Sequence, residues 1–319
     1  MKKILFISII AVLYLLGCEE NFSPVGEPRD KFVFYSIVNA DTNYQTAVIS
    51  KSYVADGIDP FTNTIDPSIQ GADIRIWDGS NIHFLQDTTV DGSDQIRYNS
   101  PFKYYFVKDY RPIFNSFLNV EVLLPNGKRV RAETKIPDSV SIASTSDRVI
   151  PPVNKSAISV NWTTTDQNVW FTTKLTLTYY EIINGNRIRH QKIIPLDFVT
   201  VDGVEYPIYP RPSNQTGMSL KKSILDKIMN SISESGLAKS DYWIRNRVKL
   251  EIVVLDQNLA SYYQSNNDVL DGFSVRLNQS DYSNVENGIG LFGSFVKQEL
   301  ELRLYPDYIE SFGYTETSF

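Results

Sequence analysis

The rhythm of hydrophobic and polar positions changes several times along this chain. A mostly apolar run over residues 4–16 gives way to a polar stretch, 19–31, without periodicity. From Phe32 onward, short segments rich in β-branched and aromatic residues alternate with clusters of Gly, Pro, Asn and Asp, the signature of strands and turns. This predicts strands at 32–39, 46–53, 73–78, 82–88, 104–108, 119–124 and 129–134. Asn126-Gly127, between the last two, predicts a tight hairpin with positive φ at both residues. Residues 137–155 are rich in Ser, Asp and Pro, and the stretch 138–155 reads as a linker. Strands follow at 157–162, 171–183 and 187–194, the last two joined by a second turn at Asn184-Gly185. Over 219–236 the period becomes four: Leu220, Ile224, Ile228 and Ile232 line up. That spacing predicts an amphipathic helix on a sheet, capped by Ser219 and stopped by Gly236. A strand at 247–255, a short helix at 259–265 opened by Asp256, and a long strand or bent pair at 291–305 complete the pattern.

The expected fold is mainly β. An antiparallel β-sandwich over 32–137, immunoglobulin- or transthyretin-like, precedes a larger β-rich domain over 156–319 with one or two short helices.

The first apolar run is an export signal in layout. Lys2 and Lys3 precede it, and Glu19-Glu20 end it well short of the roughly 20 apolar residues a membrane span needs. Cys18, the single cysteine, follows Leu15-Leu16-Gly17 directly, which resembles the lipobox of bacterial lipoproteins. The resemblance implies cleavage between Gly17 and Cys18 and a diacylglycerol on the Cys18 thiol, leaving 18–31 as a lipidated tether. Acyl chains, palmitate among them, hold a protein to a bilayer by roughly 0.8 kcal/mol per buried methylene, so stable attachment takes more than one. With no second cysteine, no intrachain disulfide can form.

Charge and composition narrow the function. A net charge of -6 and a pI near 5.1 argue against nucleic acid as a partner. Two His and one Cys leave too few ligands for a Cys/His zinc site, and no metal or cofactor is expected. His83 and His190 fall in separate strands, no Gly-x-Ser-x-Gly elbow occurs, and both read as partly exposed sheet residues. Asp87 to Asp94 and Asp56 to Pro60 read as solvated turns rather than calcium loops. Carboxylates are plentiful, so a glycosidase-type pair stays open as a third reading. The 19 Tyr, 17 Phe and 4 Trp suit ring stacking or an interface, but adjacent strand residues face opposite ways, so Tyr104-Tyr105 cannot share a face. Trp77, Trp162 and Trp170 read as core, Trp243 less so.

Near the C-terminus, Ser283-Asn284-Val285-Glu286-Asn287-Gly288-Ile289-Gly290-Leu291-Phe292-Gly293 follows the pattern SN-hydrophobic-x-x-G-hydrophobic-G-hydrophobic-F. With the lipobox and Gly71-Ala72-Asp73-Ile74-Arg75-Ile76, it resembles the Bacteroidota outer-membrane lipoprotein family known as domain of unknown function 4249. Read as residues, Ser283, Asn284, Gly288, Gly290, Phe292 and Gly293 make a structural clasp entering a strand; the glycine spacing does not fit a P-loop. The resemblance implies an outer-membrane, outward-facing location and a TonB-dependent β-barrel as partner, with no catalytic residues. The expected function is a non-enzymatic accessory or binding subunit for nutrient capture, with a stand-alone glycan- or peptide-binding lipoprotein as the alternative.

Overall fold

The computed structural model describes residues 31–52, 66–90, 101–233, 238–266 and 282–318. Cys18 and Gly17, Asp56 to Pro60, Asp91 to Asp94 and Gly236 lie outside them.

Alternating burial builds the first seven strands: β1 (Phe32–Asn39), β2 (Tyr44–Lys51), β3 (Asp73–Asp78), β4 (Asn81–Val90), β5 (Phe102–Lys108), β6 (Phe117–Leu123) and β7 (Arg129–Lys135). All pair antiparallel, in the order β1-β2-β5-β4-β3-β6-β7. β4 pairs with β3 through residues 81–85 and with β5 through residues 86–90, which turns the corner between two layers. The inward residues, among them Phe34, Ile49, Ile74, Ile76, Leu118 and Val122, form one core.

Five short or medium strands follow: β8 (Ser141–Ile142), β9 (Val149–Ile150), β10 (Ala157–Thr163), β11 (Trp170–Ile183) and β12 (Asn186–Ile194). Next come β13 (Asp197–Val201), β14 (Val204–Ile208), β15 (Gly217–Lys221), helix α1 (Lys222–Asn230), β16 (Tyr242–Arg245) and β17 (Arg247–Leu255). Helix α2 (Gln257–Asn266), β18 (Ile289–Leu304), helix α3 (Pro306–Glu310) and β19 (Thr315–Thr317) end the chain. The fold is mainly β, with three helices among the described residues where one or two were expected.

One sheet runs through both halves. Its order is β19-β16-β11-β17-β18-β1 and then the first seven strands, and the join is a parallel pairing of β1 with β18, Val33 opposite Ile289 through Asn39 opposite Phe295. The far end curls back: Arg131 of β7 and Glu286 exchange backbone hydrogen bonds of 3.2 and 2.8 Å just ahead of β18. Val285, Phe292 and Val296 consequently belong to the core built by β1–β7. The second core gathers Leu175, Leu177, Leu250, Ile252 and Leu302 with Ile224, Leu225 and Met229 of α1. Val140 and Ile150, from the stretch that reads as a linker, are buried in it.

Two local expectations are corrected. Ser219 does not cap a helix: it lies in β15, whose Met218 and Leu220 alternate inward and pair with Val160 and Ile158 of β10. Strand pairing buries two apolar side chains there, so α1 starts at Lys222 and ends at Asn230. Asn126-Gly127 turns with positive φ at Gly127 alone (φ +80); Asn126 instead accepts the Lys128 N–H through its side chain at 3.1 Å. Asn184-Gly185 has positive φ at both residues (53° and 80°), as does Asp202-Gly203 (51° and 79°), a hairpin tip between β13 and β14 that the sequence reading passed over.

Candidate functional site

The Ser283–Gly293 segment ties the first core to α2: Val285 and Phe292 lie in that core, and Leu291 packs with Leu255, Leu259 and Ala260. Ser283 Oγ accepts the Gly290 N–H at 3.0 Å. Asn284 Oδ1 accepts the Phe292 N–H at 2.9 Å, while Nδ2 donates to the carbonyls of Phe292 at 2.8 Å and Glu133 at 3.0 Å. Gly290, with φ +123, lies so close to β1 that a Cβ would sit 2.0 Å from the Phe34 carbonyl oxygen. At Gly288 a Cβ would meet the Phe32 carbonyl at 2.9 Å, and at Gly293 it would press on Leu259 of α2 at 3.0 Å. Phe292 is fully buried, its ring 6.3 Å from that of Phe34. These residues set backbone approach, and none of them lines the two cavities described below.

Asp256 is the polar hub beneath the clasp. It is 4% exposed and opens α2 by accepting the Leu259 N–H at 2.9 Å. It also accepts the Ser294 N–H at 3.1 Å and the Thr134 hydroxyl at 2.7 Å. Burial pushes its pKa above the ordinary carboxylate value, more than these hydrogen bonds pull it down. A 320 Å³ cavity beside it also holds Asp166, paired with Lys135 at 2.6 Å. Burial pushes Asp166 up too, but the bonds from Lys135 and the Asn168 N–H outweigh it and hold the carboxyl low. Both carboxylates are thus already engaged by protein donors.

A larger cleft of about 590 Å³ opens on the other side of the central strands. On β17, Leu250, Ile252 and Val254 point into the second core, so Glu251, Val253 and Leu255 point the opposite way, into the cleft. Phe295 and Lys297 of β18, Lys174 of β11 and Ile37 of β1 share that face. Leu259 and Tyr263 of α2 and the segment around Arg211 form its walls. Across the strands Lys174 stands opposite Glu251 and Lys297 opposite Val253, while Leu255 and Phe295 pair at the end that leads into α2. Glu251 accepts from Lys297 at 3.1 Å and lies 3.3 Å from Lys249; burial raises its pKa, and the two lysines more than reverse this.

The remaining candidates stand apart. His83 stacks on Tyr110 with 3.6 Å between centroids, and burial lowers its pKa against the opposing pull of Asp78. His190 stacks on Tyr179 in another part of the sheet, with Nε2 3.1 Å from Glu181. Among the described residues no group of three His, Cys, Asp or Glu is placed to hold a metal. Trp162 is buried, while Trp77, Trp170 and Trp243 are half-buried. Tyr105 turns inward, its hydroxyl donating to the Ile69 carbonyl at 2.8 Å, whereas Phe102, Tyr104 and Phe106 form an outward aromatic row continued by Tyr44. The i, i+2 spacing of that row was readable from the sequence; the cleft, assembled from five non-adjacent segments, was not.

No protein-family model matches the chain, and no curated protein matches it. Among solved structures it is similar to the C-terminal globular domain of an oligosaccharyltransferase from Pyrococcus abyssi, with a TM-score of 0.23 and 9% identity. That match covers 86% of this chain and 50% of the other, so this chain spans half the length of the protein it matches. A likeness at this level does not establish a shared fold.

Proposed function

We propose that the protein is a lipid-anchored outer-membrane surface protein that acts as a non-enzymatic binding subunit, accessory to a TonB-dependent β-barrel transporter in nutrient capture. The observation that carries this is Cys18, the single cysteine, directly after Gly17 at the end of an apolar run of export length. The resemblance of residues 283–293 to the Bacteroidota lipoprotein family supports the partner, and the open cleft on the β11-β17-β18-β1 face supplies a surface for binding.

Purification of the lipidated protein from gently solubilised outer membranes, with mass spectrometry of what accompanies it, tests the reading. A stoichiometric β-barrel partner is expected, and recovery of the protein alone overturns the accessory role. Cys18→Ala should abolish acylation and move the protein out of the membrane fraction; full retention there overturns the anchor.

The outward row of Phe102, Tyr104, Phe106 and Tyr44 favours a second reading, a stand-alone glycan-binding lipoprotein, because sugar rings stack on exposed aromatic faces. It predicts glycan binding by the non-acylated protein with no barrel present.

A further inference from the structure

We infer that the cleft beside α2 takes an amphipathic carboxylate, a small ligand with a hydrocarbon or aryl body and one anionic head. This rests on the reading of the protein as a binding subunit and names the class of what is bound.

The floor is hydrocarbon: Ile37, Val253, Leu255, Leu259 and Phe295. A sugar laid there would turn hydroxyls toward groups that cannot hydrogen-bond, a cost paid for each one left without a partner. An apolar body instead gains from every contact, and about 590 Å³ falls in the usual range for small-molecule sites.

The rim selects the head group. Lys174, Arg211 and Lys297 line the cleft against a single carboxylate, Glu251, in a chain whose net charge is -6. Glu251 is already shared between Lys297 and Lys249. Among the described residues no ion pair holds Lys174 or Arg211, although Lys174 stands opposite Glu251 across the strands, so three cations outnumber the one carboxylate of the lining and the local field is positive. A carboxylate placed between them completes charge-assisted hydrogen bonds, bidentate in the case of Arg211. A cationic head meets the same excess of positive charge instead.

The test uses the full chain carrying Cys18→Ser, so that no acyl chain of its own competes for the cleft. Calorimetric titration with decanoate should show one saturable site that weakens as salt rises, and decyltrimethylammonium should show none. Lys174→Glu with Arg211→Glu should lower decanoate affinity at least tenfold, with the milder pair Lys174→Gln and Arg211→Gln between that and wild type. Thermal melts of both variants should match the parent, since both side chains are exposed. Equal binding of the two amphiphiles, wild-type affinity in the charge-reversed variant, or no saturable decanoate binding each overturns the proposal. The barrel experiment separates the two readings. Recovery of a barrel without decanoate binding removes the ligand class and leaves the accessory role, whereas decanoate binding without a barrel does the reverse.

Discussion

Asn284 shows how much one amide can hold. Its oxygen takes a backbone N–H and its nitrogen serves two carbonyls from different strands, Phe292 of β18 and Glu133 of β7. Asn284→Ala should cost about 1 kcal/mol, the scale of one lost hydrogen bond, because the Phe292 N–H loses its acceptor while Asn258 Nδ2 still reaches both carbonyls. Asn284→Asp, nearly identical in shape, should cost more, because an acceptor would then face the two carbonyl oxygens. Urea midpoints of the three proteins check this, and an aspartate variant as stable as wild type would show that Nδ2 is not the group that matters. Ser283-Asn284 and the three glycines were conspicuous in the sequence, but the contacts that explain them were not. Gly290 is required by the Phe34 carbonyl on a strand more than two hundred and fifty residues away, and no local pattern encodes that approach. The turns divide in the same way. Asn184-Gly185 follows its dipeptide, whereas at Asn126 a side-chain bond to Lys128 takes over.

At the scale of elements, strands were more legible than helices. Period-two burial locates β1 and β3 to the residue, because both keep one face in the core throughout. The four-residue rhythm around Leu220 and Ile224 was ambiguous: Met218 and Leu220 also alternate, and the neighbouring β10 decides in favour of a strand. Helix α2 is the one whose opening residue was anticipated, at Asp256, and that cap makes its stability depend on pH. Because burial raises the Asp256 pKa in the folded protein, the native state holds this proton more tightly than the unfolded chain does. Its contribution therefore improves as pH falls through the window between the raised folded value and the unfolded value near 3.8, and the penalty is complete above the folded value. Asp256→Asn removes the charge and keeps an acceptor for the helix N–H groups; its amide nitrogen can donate to Thr134 Oγ1. Relative to this variant, wild type should gain stability as pH falls from neutral toward 3.8, read from paired denaturant curves. A constant difference across that range would refute the assignment. Asp166 and Glu251, whose pKa values are lowered, titrate with the opposite sign in both proteins and cancel in the comparison.

At the scale of the molecule, the first sandwich is not built from its own residues alone. Val285, Phe292 and Val296 lie in its core, and β18 covers the edge of β1. Each such side chain contributes about 1.5–3 kcal/mol by burial, so their combined loss approaches the whole stability of a typical domain. A fragment of residues 31–137 should therefore lack cooperative unfolding and dispersed amide resonances. A sharp thermal transition in it would show that the seven strands suffice. The chain halves suggested by composition meet in one continuous sheet, and that meeting was illegible because β1 and β18 are partners across most of the sequence.

The parallel β1–β18 seam also sets a timetable. A ribosome delivers residues in order, and β18, the partner of β1 on the side away from β2, arrives only when nearly all the other strands have been made. Until then the leading third of the polypeptide has no finished core to collapse around. Under the export proposed above, this keeps the emerging segment threadable through a narrow translocation pore and postpones closure until the last strands have crossed.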